Sequence, residues 1–352
     1  MTDLVDRLAA PVNRPYTDSM APADALHQLV DELRHRGFRV IAPVARGDEL
    51  VLGEIRDADE LPWGVGIVAG DHGGYRLTER RDRQAFAISV GPASWRTVLL
   101  PSSDPAHSPE GPPSGDEPPL ALLGMRPCDL RALAILDRAD FSPDVASAYA
   151  IRRARSFVVV VECTEPAASC FCVSAGAGPR VGDGAADEEL RYDLKLTETV
   201  GRRGGVRYVA RTGSCLGAEV FRAVAHVPAN HHTAQTAHAA VSEAANRIRH
   251  SGRALPTVDI SALLAATAEA RTWDVVSSLC TACGDCAVVC PTGAEPDSWS
   301  TPEDYRRWLT GRFDAAACVG CGRCVLACPV GIDPVTLLGA LQQDWELEAQ
   351  DE

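Results

Sequence analysis

Between Pro22 and Arg36 apolar residues recur at helical spacing. Leu26, Leu29, Val30 and Leu33 stand at i, i+3, i+4 and i+7, one stripe of an amphipathic helix. Short apolar runs follow. Phe38 to Pro43 and Glu49 to Ile55 predict two strands around the turn Arg46-Gly47-Asp48. Ala85 to Val90 and Thr97 to Leu100 continue a mixed pattern. Pro101 to Pro119 has no apolar period and is rich in Pro, Ser, Gly and acid, so it predicts an exposed, mobile loop. The apolar run Leu120 to Gly124 predicts a buried strand. Pro127 to Leu136 has helical spacing, with Leu130, Leu133, Ile135 and Leu136. Phe157 to Val161 is again a continuous apolar strand. Strand, helix, strand in this order predicts a βαβ unit with parallel strands and a right-handed crossover. Ala175 to Gly184 is a Gly-rich loop. Tyr192 to Leu196 and Val206 to Ala210 predict further strands. Gly217 to Val227, Ala234 to Arg249, Ile260 to Ser277 and Pro334 to about Glu348 predict helices.

Composition narrows the function classes. A chain of 352 residues with 46% hydrophobic and 23% charged residues is long enough for two or three globular domains. Its net charge of −14 argues against a nucleic-acid partner, which wants a basic surface. Met1 to Ala10 carries Asp3, Asp6 and Arg7 and no long apolar run, so no signal peptide is expected. No stretch of 18 uninterrupted apolar residues occurs, so no membrane span is expected either, and the location expected is cytoplasmic. Without a secretion signal, the 13 cysteines are not expected to form a disulfide framework.

Eight cysteines stand in two runs of identical spacing. The first is Cys280-x2-Cys283-x2-Cys286-x3-Cys290-Pro291, the second Cys318-x2-Cys321-x2-Cys324-x3-Cys328-Pro329. This is the bacterial spacing for two [4Fe–4S] clusters, in which the fourth cysteine of each run serves the other cluster. Three thiolates two residues apart wrap three corners of one cubane, and the fourth, a helical turn later, points the other way. The first cluster is therefore assigned Cys280, Cys283, Cys286 and Cys328, and the second Cys318, Cys321, Cys324 and Cys290. Two zinc ribbons are the alternative, but zinc is usually held by paired CxxC and does not need the Cys-Pro tail. The fold expected is a mixed α/β N-terminal domain over residues 1–258 and a small, mainly α-helical, dicluster ferredoxin-type domain over 259–352.

Five cysteines remain. Cys128 lies just past the first strand of the βαβ unit, and Cys163 just past the second. If these strands are parallel, both thiols emerge at the carboxyl edge of the sheet, where α/β proteins place ligands. The helix beginning near Pro127 turns its positive end there, which favours an anionic group. Cys170 and Cys172 follow on a short loop. These four thiols are candidates for a third [4Fe–4S] cluster; a zinc ion, or simply buried apolar cysteines, are the alternatives. Cys215 has no evident partner and is expected to be structural.

Other signals are weaker. Gly64-x-Gly66-x-x-Ala69 has the outline of a dinucleotide fingerprint but lacks a following helix, which favours a strand and turn. Gly176 to Gly184 has no Lys-Ser/Thr to make it a phosphate loop. His231, His232 and His238 lie in a polar segment and read as a solvated loop and helix start. Arg126 and Arg323 flank cysteines and are either exposed or placed to tune a cluster. No Ser/His/Asp set or acid pair stands out.

Several motifs carry a resemblance. They are Gly124-Met125-Arg126-Pro127-Cys128-Asp129-Leu130, Cys163-Thr164-Glu165-Pro166 and Cys170-Phe171-Cys172-x-Ser174-x-Gly176-x-Gly178-Pro179. Tyr75-Arg76-Leu77, Gly91-Pro92, Tyr149 with Arg152-Arg153, and Tyr192-Asp193-Leu194 through Thr197-Glu198 accompany them in order. From about Phe38 onward the chain resembles the beta subunit of cytoplasmic NAD(P)-linked [NiFe] hydrogenases (sulfhydrogenases), and equally the electron-input subunit of anaerobic sulfite reductases. It departs from them in the short stretch between Cys290 and Cys318, where these families carry a longer, basic insertion. The resemblance implies an electron conduit. On one side of it stands a flavin/NAD(P)-binding subunit, on the other the small and large hydrogenase subunits or a sulfite reductase catalytic subunit. It also implies no flavin or nicotinamide site on this chain. A non-catalytic scaffold or redox-sensing protein is the alternative of a different class.

Overall fold

The computed structural model describes residues 18–70, 74–88, 94–100, 117–139, 143–181, 190–201, 204–293 and 299–351. Gly91-Pro92, most of the segment predicted as a mobile loop (101–116) and the end of the Gly-rich loop lie outside them. The first described element is strand β1 (Ser19–Pro22), followed by helix α1 (Ala25–His35), whose buried Leu26, Leu29, Val30 and Leu33 are the predicted stripe. Strands β2 (Arg39–Arg46) and β3 (Glu49–Ile55) form an antiparallel hairpin. Strands β4 (Val65–Ala69) and β5 (Tyr75–Glu79) make a separate two-stranded sheet, so the Gly64 to Ala69 segment is a strand and turn. A short helix α2 (Trp95–Leu99) stands where the sequence showed only a mixed pattern.

Next come strand β6 (Leu120–Met125), helices α3 (Pro127–Leu136) and α4 (Pro143–Ala154), and strand β7 (Phe157–Glu162). Strands β6 and β7 are parallel, as the βαβ pattern predicts. Their side chains alternate between two cores. Ala121, Leu123, Phe157, Val159 and Val161 join α1 on one face. Leu122, Met125, Val158 and Val160 join Trp95, Leu99, Leu130 and Leu133 on the other. With both faces covered, the strands are apolar along their whole length. The alternation survives because the chain bulges between Leu123 and Met125. Gly124 sits there at φ 98°, and a Cβ at this position would lie 2.8 Å from Phe86 Cε1.

Strands β8 (Leu194–Val200) and β9 (Val206–Thr212), helix α5 (Cys215–Phe221) and the short strand β10 (Val227–Pro228) complete an eight-stranded sheet. Its order is β10-β1-β9-β8-β7-β6-β2-β3, with β2, β6, β7 and β8 parallel in the middle and antiparallel strands at both flanks. The rest is helical: α6 (His231–His250), α7 (Ile260–Ala266), α8 (Thr272–Leu279), α9 (Asp285–Val288), α10 (Pro302–Asp314), α11 (Arg323–Ala327) and α12 (Pro334–Asp351). The molecule is thus a mixed α/β sheet region followed by a helical C-terminal region.

Two predicted elements need correction. Ile260 to Ser277 is two helices, because Thr267 turns back: its Oγ1 donates to Leu263 O at 2.7 Å, and its own carbonyl accepts from Trp273 Nε1 at 3.0 Å. The helix predicted over Gly217 to Val227 ends at Phe221. The prediction also contained no helix between the cysteine runs, where α10 lies.

Candidate metal centre

Parallel strands β6 and β7 deliver the first two thiols of one group. Cys128 is the second residue of α3 and Cys163 follows β7 directly, so both stand at the carboxyl edge of the sheet, the former at the positive end of a helix. Backbone hydrogen bonds then fold the segment after Cys163 back: Cys163 N donates to Pro179 O at 3.0 Å and Ala177 N to Cys172 O at 2.9 Å. This brings Cys170 and Cys172 to the same place. All four thiols are buried. Burial is the main cause that raises the Cys128 and Cys163 thiols. For Cys170, pushed up to about 12, the Cys163 thiolate adds to burial; for Cys172, Cys170 and Cys163 do. Four thiols crowded in an apolar pocket keep their protons unless a cation is supplied, and a bound metal is what lets such a set ionise.

The two cysteine runs repeat one backbone device. Each has a residue at positive φ between its first and second cysteines (Ala282 at 55°, Gly320 at 63°). Each has a second one that caps the following short helix (Gly284 at 77°, Gly322 at 72°). These left-handed positions curl the chain so that its thiols face inward. Cys280, Cys283, Cys286 and Cys328 line one cavity, which Cys324, Trp299, Tyr305, Val330 and Ile332 also wall. Burial, then the thiolates of Cys283, Cys328 and Cys280, push the Cys286 thiol up to about 12. On the other side Cys290 joins the second run. Cys318 is pushed up to about 12 chiefly by burial, with Cys290 and Cys321 adding, and Cys324 is raised well above the thiol range by burial, Cys321, Cys318 and Cys290. Backbone amides point at two of the sulfurs: Ala282 N lies 3.4 Å from Cys280 Sγ, and Ile332 N 3.3 Å from Cys328 Sγ. Among the described residues no three of these thiols fall within 4.8 Å of one another. Tetrahedral zinc, with Zn–S near 2.3 Å, holds sulfurs about 3.8 Å apart.

The sheet-edge thiols and the second run form one buried core, containing Cys128, Cys170, Cys172, Val319, Cys321 and Leu326. Phe171 N donates to Gly320 O at 2.8 Å, and Cys170 Sγ lies 3.8 Å from Cys321 O. The approach is so close that a Cβ on Gly320 would stand 2.7 Å from Cys172 Cα, and one on Gly322 would overlap Ser169 O. Across this contact Arg323 Nη1 meets Asp129 Oδ1 at 2.7 Å, both residues almost wholly buried. Asp129 Oδ2 meanwhile accepts from Arg126 N at 3.1 Å and so closes the first turn of α3. Burial opposes charge on Arg323, but its pairing with Asp129 outweighs it and holds the guanidinium charged. Arg126 is buried as well and donates to the carbonyls of Phe86, Ile88 and Val161. Neither arginine is exposed.

Several residues that matter here were not singled out in the sequence. Arg96 donates to Val288 O at 3.1 Å and Cys290 O at 3.3 Å, tying the end of the first run to α2. Arg253 pairs with Asp333, Nη2 to Oδ1 at 2.9 Å, and donates to Ser169 O at 3.2 Å. Asp129 had a readable signal, an acid at the third position of a helix opened by proline, and Tyr305 opens an apolar stripe with Trp308, Leu309 and Phe313 behind a capping box; Arg96 and Arg253 had none. Cys215 is exposed at the start of α5 rather than packed, and His231, His232 and His238 are exposed on α6.

Residues 279–332 match the sequence model of a family described as a 4Fe-4S dicluster domain. No curated protein and no solved structure matches the chain. The matched segment holds both cysteine runs, so the C-terminal region is a domain for two [4Fe–4S] clusters, a type of site that serves iron–sulfur electron transfer. Among the described residues no helix is long and apolar enough to cross a membrane.

Proposed function

We propose that this chain is an electron-transfer subunit with three [4Fe–4S] sites. In this reading Cys280, Cys283, Cys286 and Cys328 hold the first cluster, Cys318, Cys321, Cys324 and Cys290 the second, and Cys128, Cys163, Cys170 and Cys172 a third. One observation carries it: the Cys170–Cys172 loop is seated directly on the backbone of the second run, through Phe171 N and Gly320 O. Four buried thiols so joined to a dicluster domain suit one continuous relay better than inert core cysteines. When bound, [4Fe–4S] clusters supply one-electron redox capacity at potentials set by charge, hydrogen bonds and burial. The residues of this chain supply the thiolates, exclude water around the second and third groups, and hold the three groups in fixed register through the Arg323–Asp129 pair and the Arg96 contacts.

The partners proposed are a flavin/NAD(P)-binding subunit on one side and the small and large subunits of a cytoplasmic [NiFe] hydrogenase on the other. The support is the motif resemblance around Cys128, Cys163 and Cys170. The chain itself holds neither flavin nor nicotinamide in this proposal. The same motifs fit an anaerobic sulfite reductase, and co-purification separates the two: nickel with the complex supports the first, siroheme the second.

Anaerobic iron and acid-labile sulfide counting tests the cluster content. About twelve irons per chain are expected from three four-iron clusters. A count near eight removes the third site. Cys170→Ser should lower the count by about four; an unchanged count overturns Cys170 as a ligand.

A further inference from the structure

Helix α10 fills the stretch between the two cysteine runs, and its first turn is fixed by Asp304, whose Oδ2 accepts from Thr301 N at 2.9 Å and Ser300 N at 3.0 Å. The next residue, Tyr305, is 3% exposed. Its ring is wedged against Trp308, with centroids 5.8 Å apart, and Trp308 in turn meets Trp299 at 6.3 Å. This aromatic wall leaves the Tyr305 side chain lining the cavity of Cys280, Cys283, Cys286 and Cys328. The hydroxyl is buried and has no hydrogen-bond partner among the described residues. A buried hydroxyl left unpaired costs about 1–3 kcal/mol, and a phenylalanine would fill the same space without that cost. The cavity it lines is walled chiefly by sulfur, from Cys280, Cys283, Cys286, Cys324 and Cys328, and Asp333 follows the lining residue Ile332. Asp333 is already engaged by Arg253. Sulfur is what remains for the hydroxyl to meet.

Resting on the cluster assignment above, we infer that the Tyr305 hydroxyl is a hydrogen-bond donor to the sulfur of the cluster held by Cys280, Cys283, Cys286 and Cys328, and that it sets the potential of that cluster. A donor aimed at cluster sulfur stabilises the reduced, more negative state more than the oxidised one, so it raises the potential.

The test is Tyr305→Phe in the full chain, reconstituted anaerobically and followed by potentiometric EPR titration alongside iron counting. The variant should keep its full iron content while one cluster becomes harder to reduce, by about tenfold in the one-electron equilibrium, or roughly 59 mV. Placing 3-fluorotyrosine at position 305, a stronger donor of nearly the same size, should move the same component the opposite way. Full iron content with no component shifted by either substitution overturns the inference and leaves the cluster assignment standing. A wild-type chain without iron–sulfur clusters overturns the assignment itself. If Tyr305→Phe alone loses iron, the fluorotyrosine titration decides.

Discussion

The two cysteine runs have one spacing and one backbone path, yet their surroundings differ at three matching positions. In the first run the residue at positive φ before the second cysteine is Ala282, partly exposed; in the second it is Gly320, pressed against the backbone of Cys172. Cys283 is exposed and Cys321 buried. Asp285, following Gly284, faces solvent, whereas Arg323, following Gly322, is buried on Asp129. A duplicated motif has thus been specialised by what packs on it. The first run presents its group toward solvent, and the second is enclosed by the sheet region. The charge difference suggests a functional difference too, since a buried cation favours the reduced cluster and an acid opposes it.

The contrast can be broken at graded cost. Arg323→Ala should do most damage, because it strands Asp129 uncompensated in the interior; a loss of about 3–5 kcal/mol in unfolding free energy is expected, measurable by denaturation of the reconstituted protein. Gly322→Ala drives a methyl group into Ser169 O at a left-handed position, and should cost about 2–4 kcal/mol. The same change at Gly284, where the nearest atom is Trp299 Cγ at 3.3 Å, should cost less; equal losses at the two glycines would erase the distinction between the runs. Arg96→Gln removes the contacts to Val288 and Cys290 and should cost about 1–3 kcal/mol. Ala282→Gly should change stability by less than about 1 kcal/mol, since relief of a left-handed alanine is offset by a freer unfolded chain. Finer still, Asp285→Asn should raise the potential of the first cluster slightly and leave the second where it was; EPR titration resolves this, and movement of both components together would argue that the runs are not electrostatically separate.

Much of the centre could be read directly. Apolar runs over Leu120 to Gly124 and Phe157 to Val161 identified the strands, their order made them parallel, and that alone set Cys128 and Cys163 at one edge. What escaped were relations set by tertiary contact. Arg323 could be read as an exposed charge or as one placed to tune a cluster, and only Asp129, 194 residues earlier, decides that it is buried. Ile260 to Ser277 is a run of good helix formers, and its break is made by Thr267 and Trp273 rather than by Gly or Pro. Tyr305 lies on a helix that was legible but not read: Tyr305, Trp308, Leu309 and Phe313 stand at i, i+3, i+4 and i+8 behind the capping sequence Thr301-Pro302-Glu303-Asp304, and what the sequence hid was only the cavity this stripe faces.

The seat of the Cys170 loop on Cys321 also bears on biogenesis. The two residues are 151 positions apart in the chain. At ribosomal rates of roughly 5–20 residues per second, the loop emerges about 8–30 s before its counterpart exists. Throughout that interval three or four thiols at the edge of a nascent sheet lack the surface that shields them. On the proposed third site, iron insertion at this position would therefore be a late event, and the unfinished polypeptide would be the form most exposed to oxidants.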